Sequence, residues 1–145
     1  MREIKFRGQM VTGEWVYGWL TKDMEGSTAY YPECSYRVHW ETEGGGQANG
    51  PVKNETVGQY TGMDDRKENP IYEGDIVTYN LHIDKQNEPA SVAVVAFIFA
   101  AFQVFMQKRQ VEYHAYLGDC TNIEVIGNIH DNPELWEVDD DKKQT

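Results

Sequence analysis

The sequence is poor in positive charge. Its 145 residues include 13 lysines and arginines against 24 aspartates and glutamates, which gives a formal net charge of −11. Proteins that bind duplex DNA or anionic membranes cluster lysine and arginine to neutralise phosphates. The composition therefore argues against duplex nucleic acid and against a membrane surface as partners.

Long apolar segments and paired cysteines are also absent from the sequence. The longest apolar stretch, from Val92 to Phe102, falls short of the roughly 20 residues that a membrane-spanning helix requires. The first seven residues alternate charged and apolar side chains and lead into no apolar signal region, so we expect a cytoplasmic protein. Cys34 and Cys120 stand alone, which is typical of packed, reduced thiols.

What the sequence does contain is a series of short strand patterns. Residues 14–20 alternate aromatic side chains with Val16, Gly18 and Leu20, which is the period of a two-faced strand. Further strands are predicted over 28–31, 36–40, 57–60, 76–79 and 123–129. We interpret residues 91–106 as a hairpin bent near Ala100 and Ala101, and the alternative is a buried helix, which the alanines of this segment would suit.

A glycine-rich segment divides the chain. Residues 41–50 contain three consecutive glycines and no large apolar side chain, which favours a mobile loop or a linker. We therefore predict an N-terminal antiparallel β subdomain over 1–50, a second domain over 51–138 and an acidic disordered tail over 139–145. The β segments between 57 and 130 suit a small barrel, and Asn132 and Pro133 predict a short C-terminal helical turn.

The strongest candidate for a metal or acid–base site is a group of four carboxylates, those of Asp64, Asp65, Glu73 and Asp75. They lack the spaced ligands of a calcium loop, and aspartate and glycine are ordinary turn residues. We expect Asp75 to accept a backbone N–H where a strand begins, with Gly74 supplying the bend. The sequence matches no nucleophile elbow, phosphate loop or dinucleotide fingerprint, so we predict no catalytic residue, metal or cofactor.

Histidines could combine with the two cysteines in a zinc site. The four histidines are His39, His82, His114 and His130. No pair of them has the spacing of a zinc motif, and we predict no such site.

Aromatic residues are abundant, with four tryptophans and nine tyrosines. Single-stranded nucleic acid stacks on such residues, but its binding also needs a cationic groove, and the basic residues of this chain are scattered. Trp15, Tyr17 and Trp19 fall on one face of a predicted strand. We predict that this face is an interface with a second copy or another protein, and the alternative is packing in the core.

Four blocks of sequence, taken in order, resemble the YopX family of phage and prophage proteins. They are residues 2–7 with the strand 15–20, residues 55–64, residues 71–77, and residues 124–129 followed by 132–135. The resemblance implies a mainly β protein of two parts, in which an N-terminal β extension precedes an SH3-like barrel, and it implies no particular biochemical role. The candidate binding residues, all from the second and third blocks, are Tyr60, Asp64, Tyr72, Glu73 and Asp75.

Our leading hypothesis is a phage or prophage accessory protein that is not an enzyme and that associates with itself or with another phage or host protein. A first alternative is an acidic decoy that imitates DNA and occupies a nucleic-acid-binding host protein, as the net charge of −11 would allow. A second is a carboxylate-metal enzyme centred on Asp64, Glu73 and Asp75. A third is a barrel that binds single-stranded nucleic acid directly.

Overall fold

The computed structural model describes residues 1–23, 32–81, 90–108 and 111–136. Within these ranges the chain forms eleven strands, one short α-helix and two 3₁₀ turns, Asn54–Thr56 and Leu117–Asp119. The strands and the α-helix are β1 (Phe6–Gln9), β2 (Trp15–Lys22), β3 (Tyr36–Glu41), β4 (Gln47–Val52), β5 (Gly58–Asp64), β6 (Pro70–Tyr72), β7 (Asp75–Asn80), β8 (Ser91–Ile98), β9 (Ala101–Lys108), β10 (Val111–Tyr116), β11 (Thr121–Asn128) and α1 (Pro133–Trp136). The predicted strand over 28–31, His82 and the predicted tail over 139–145 lie outside the described residues.

The predicted mainly β class is confirmed, as is the short helical turn near the C-terminus. The chain divides into two compact units, Met1–Gly62 and Met63–Thr145. This division falls later than the predicted boundary after residue 50. The reason is that residues beyond 50 complete the first unit, since β5 pairs with β1 and Val52 is fully buried in the core of that unit.

The first unit is an antiparallel sheet in the order β4-β3-β2-β1-β5. Its core lies on one face, where Val16, Val38 and Val52 are buried and Leu20 and Trp40 pack against them. Because side chains alternate across a strand, burying Val16 and Leu20 directs Trp15, Tyr17 and Trp19 to the opposite face. The two-faced pattern of β2 is therefore confirmed.

The predicted loop over residues 41–50 is partly wrong. Its first half is a tight turn, in which Gly44 and Gly45 adopt positive φ angles of 99° and 83° and the Thr42 N–H donates to the Gly46 carbonyl at 2.8 Å. Its second half belongs to β4, which pairs with β3 from Glu41↔Gln47 onward. β4 is an edge strand, and backbone pairing forms it without the apolar side chains that would have marked it in the sequence.

The second unit contains a five-stranded antiparallel sheet in the order β10-β9-β8-β7-β11. One face carries the larger core, whose buried members are Ile71, Val77, Tyr79, Ala93, Val95, Val104, Leu117, Cys120 and Ile123. On the other face the ring of Trp136, from α1, lies 5.6 Å from that of Phe105. The SH3-like form of this unit remains a prediction.

The segment 91–106 is a hairpin, as predicted, with Ile98 and Ala101 as the closing pair. The two residues between them, Phe99 and Ala100, adopt positive φ angles of 51° and 62°. A two-residue turn with both angles positive favours asparagine followed by glycine, because other side chains are strained there. This turn therefore holds two residues in an unfavourable backbone conformation.

Replacing Phe99 by asparagine together with Ala100 by glycine is expected to raise the free energy of unfolding by about 1 kcal/mol, because both new residues tolerate the left-handed conformation. Urea denaturation followed by circular dichroism measures the change. Ala101→Gly, one residue further on and within β9, is the control and is expected to lower stability slightly. A lower stability for the double variant would contradict the proposed strain.

Candidate functional site

Three aromatic side chains of β2 form the centre of an exposed patch on the first unit. Tyr17 and Trp19 are 49% and 42% exposed, and Trp15 is partly buried beside them. The register places Arg7 of β1 opposite Tyr17 and His39 of β3 opposite Trp19. We call these five residues the aromatic face.

Contacts between strands hold the aromatic face in place. The rings of Trp19 and His39 stack with centroids 5.5 Å apart and planes inclined by 9°. Nε2 of His39 lies 2.8 Å from Oγ1 of Thr21, and the guanidinium carbon of Arg7 lies 4.9 Å from the centroid of Trp15. The side chains that a partner would meet are therefore already ordered, which lowers the entropy cost of binding.

Tyr60, one of the predicted binding residues, lies at the margin of this face. Its N–H donates to the Lys5 carbonyl at 2.8 Å, and Nζ of Lys5 lies 4.7 Å from the centroid of its ring. Gly58 pairs with Arg7, and Tyr60 is two residues further along β5, so Tyr60 and Arg7 share a side of the sheet. The prediction had grouped Tyr60 with residues of the second unit.

The positive charges next to the aromatic face are paired with local acids or amides. Nε of Arg37 lies 3.4 Å from the Asp23 carboxylate, and its Nη1 donates to the Asn49 side chain at 3.0 Å. Nζ of Lys5 lies 3.6 Å from the Glu3 carboxylate. The cations around the aromatic face are therefore held singly by local partners, and they do not form the continuous cationic groove that single-stranded nucleic acid needs.

The other predicted binding residues belong to the second unit, and two of them are buried. The Asp75 side chain accepts the Tyr72 N–H at 2.8 Å, and Gly74 between them has a φ of 86°. This is the turn that we expected, with Asp75 in a structural role at the start of β7. Tyr72 and Asp75 are both buried, whereas Glu73 is partly exposed and Asp64 is exposed at the end of β5.

The sequence does not reveal what Asp65 does. This carboxylate, 6% exposed, accepts the backbone N–H groups of Lys67, Asn69 and Val125, each at 2.9 Å. Burial alone would raise the pKa of the Asp65 carboxyl, but these hydrogen bonds outweigh it and lower the pKa below its usual value. The signal in the sequence was the position of Asp65 in a polar turn four residues before Asn69, since aspartate side chains often accept backbone N–H groups within turns.

Two cations beside Asp65 reinforce the same connection to β11. Arg66 and Lys67 both pair with the carboxylate of Glu124, the latter with Nζ at 2.6 Å. Hydrogen bonds from the Lys67 and Arg66 side chains lower the pKa of the Glu124 carboxyl. The Arg66 N–H also donates to the Ile123 carbonyl at 2.9 Å. We call residues 65–67 the β11 clamp.

The remaining candidates are dispersed. In the part of the chain that the structure describes, no three His, Cys, Asp or Glu side chains lie together in a way that could hold a metal ion. Cys34 and Cys120 are free and buried, and burial followed by the nearby Asp119 raises the pKa of Cys120 to about 11. Within the same ranges, no helix is long and apolar enough to span a membrane.

Two antiparallel β units, the first with an ordered aromatic face, define the class as a two-part, mainly β protein. A family model described as YopX protein matches residues 5–137, and the chain belongs to this family. The crystal structure of protein EF1440 from Enterococcus faecalis is similar, with a TM-score of 0.50 and 21% identity over 94% of this chain and 100% of that chain. At this identity the likeness shows the fold alone. No curated protein matches the chain.

Proposed function

We propose that this protein is a non-enzymatic accessory protein of a phage or prophage, which acts in the bacterial cytoplasm by binding another protein through its aromatic face. The observation that carries the proposal is the half-exposed pair Tyr17 and Trp19 on a central strand of the first sheet. A phage origin is proposed because the sequence resembles the YopX family of phage and prophage proteins, whose family model matches residues 5–137.

The chemistry of the face favours a protein as partner. Tyrosine and tryptophan supply a large contact area at a low cost in side-chain entropy, and they dominate the binding energy of protein interfaces. The stacked His39 and the Arg7 beneath Trp15 keep these rings in fixed positions. The net charge of −11 and the local pairing of Lys5 and Arg37 weigh against nucleic acid.

The experiment compares three tagged proteins in cells that carry the phage. They are the wild type, a face variant (Tyr17→Ser with Trp19→Ser) and an edge variant (Tyr113→Lys with His114→Lys), which changes two exposed residues of β10, the strand at one end of the second sheet. We expect wild type and edge variant to retain the same protein partner, and the face variant to retain at least about tenfold less. Quantitative mass spectrometry of the purified complexes gives the ratios, and circular dichroism verifies that all three fold.

Equal recovery by all three proteins would overturn the proposal. The proposal would also be overturned if the captured partner were a nucleic-acid-binding protein that the face variant still binds and that dissociates as the salt concentration rises. That result would favour the DNA-mimic alternative, because such binding depends on exposed charge.

A further inference from the structure

Strand β10 is an open edge of the second sheet. It pairs with β9 along its whole length, from Val111↔Lys108 to Tyr116↔Gln103. Among residues 1–23, 32–81, 90–108 and 111–136, no strand pairs with its other side. Every second residue of such a strand directs its N–H and C=O groups outward, where they can pair with another strand.

The other long edges of the two sheets are protected. On β11, the β11 clamp occupies the Val125 N–H and the Ile123 carbonyl, and two register shifts interrupt the strand. On β4, Pro51 lacks an N–H and Gly50 weakens the strand. Proline, bulges and covering segments are the devices by which proteins prevent sheets from joining edge to edge.

β10 contains no proline, glycine or lysine, and Glu112 is its one charged side chain. Tyr113 and Tyr116, 50% and 59% exposed, lie on opposite faces of the strand. Phe99, at the tip of the neighbouring hairpin and 86% exposed, meets the His114 ring edge-on with centroids 6.3 Å apart. The open edge is therefore flanked by exposed aromatic rings.

We infer that β10 pairs antiparallel with β10 of a second copy of this chain, joining two five-stranded sheets about a two-fold axis. The inference deepens the proposed function, since it adds self-association to a protein whose aromatic face binds another partner. Antiparallel pairing of one strand with itself is self-complementary and closes at two copies, which makes a second copy the natural occupant of an unprotected edge.

Charge also favours this edge as the place where two copies meet. Residues 91–107, which form β8 and nearly all of β9, contain no charged side chain, although 26% of the chain is charged. Glu112 carries the one formal charge of β10. Pairing centred on His114 sets Glu112 opposite Tyr116 of the second copy, so that the two carboxylates do not face each other. The net charge of −11 makes two copies repel each other in general, so they meet most easily where a surface carries few charges.

Sedimentation velocity from micromolar to millimolar concentrations tests the inference on the full chain. We expect a monomer–dimer equilibrium that the edge variant, Tyr113→Lys with His114→Lys, weakens at least about tenfold, because pairing centred on residue 114 sets the new charges at this position directly opposite each other. The edge variant reduces the net negative charge, so general repulsion predicts the opposite change. The face variant is the control and is expected to dimerise like the wild type.

Hydrogen exchange read by mass spectrometry locates the contact. Amides of residues 111–116 are expected to exchange more slowly as concentration rises, while those of 121–128, at the other end of the same sheet, stay unchanged. A strict monomer, or a dimer that the face variant abolishes and the edge variant does not, overturns the inference. The proposed function is judged separately by partner capture, which the edge variant is expected to preserve.

Discussion

Replacing Asp65 by alanine is expected to lower the free energy of unfolding by about 3 kcal/mol, because a buried carboxylate accepting several hydrogen bonds is removed and its donors lose their partner. The donors are the backbone N–H groups of Lys67, Asn69 and Val125. Val125 belongs to β11, so the loss also removes one of the contacts that hold the β11 clamp to the strand that it protects. Urea denaturation followed by circular dichroism measures the change.

Asparagine at this position is also expected to be destabilising, for a reason specific to the geometry. Oδ1 of Asp65 accepts from Lys67 and Asn69, while Oδ2 accepts from Val125 and from the Asn69 side chain. An asparagine would turn an NH₂ group, which is a donor, toward donors on one of these two sides. Its stability should lie between those of alanine and the wild type.

The stabilisation by Asp65 should also depend on pH. Because the pKa of Asp65 is lower in the folded protein than its ordinary value, the carboxylate stabilises the fold above the unfolded pKa of about 3.9. The contribution is lost as the pH falls through the still lower folded pKa. The difference in stability between wild type and Asp65→Ala should therefore be full at neutral pH and shrink in acid.

Asp64→Ala is the matched control, since it removes the same charge from the adjacent, exposed position. We expect its stability to stay within about 0.5 kcal/mol of the wild type. If the two alanine variants unfolded alike, or if their difference did not vary with pH, the role assigned to Asp65 would be wrong.

Much of the local structure was predictable because it depends on local patterns. The alternation in β2 separated Val16 and Leu20 from the aromatic side chains, and the glycine before Asp75 indicated the turn into β7. The β8–β9 hairpin was predicted from β-forming residues, and its turn at Phe99 and Ala100 forms without the asparagine and glycine that such a turn prefers.

What could not be predicted depends on partners distant in sequence. β4 has few strand-forming residues and is an edge strand that pairs with β3. Asp65 reaches Val125, 60 residues away, and the stack of Trp19 on His39 depends on the register of β2 with β3. The β10 edge was invisible for the same reason, because a sequence does not show which strands lie at the outside of a sheet.

Gly18 lies between Tyr17 and Trp19, where the backbone of β3 passes close beside β2. A β-carbon built on Gly18 would lie 1.8 Å from the His39 carbonyl oxygen and 2.9 Å from the His39 carbonyl carbon. Both are backbone atoms, so no change of rotamer relieves the clash. We expect Gly18→Ala to lower the free energy of unfolding by about 3 kcal/mol, because β3 must move away from β2.

The same substitution links the fold to the proposed function. If β3 moves, the His39 ring leaves Trp19, and the aromatic face loses the order that prepares it for a partner. We therefore expect Gly18→Ala to change the tryptophan emission and to reduce partner capture under conditions where most molecules stay folded. Gly118→Ala is the matched control, since its β-carbon would meet no atom within 4 Å. A Gly18→Ala protein that melts and captures its partner like the wild type would show that the face does not depend on this close approach.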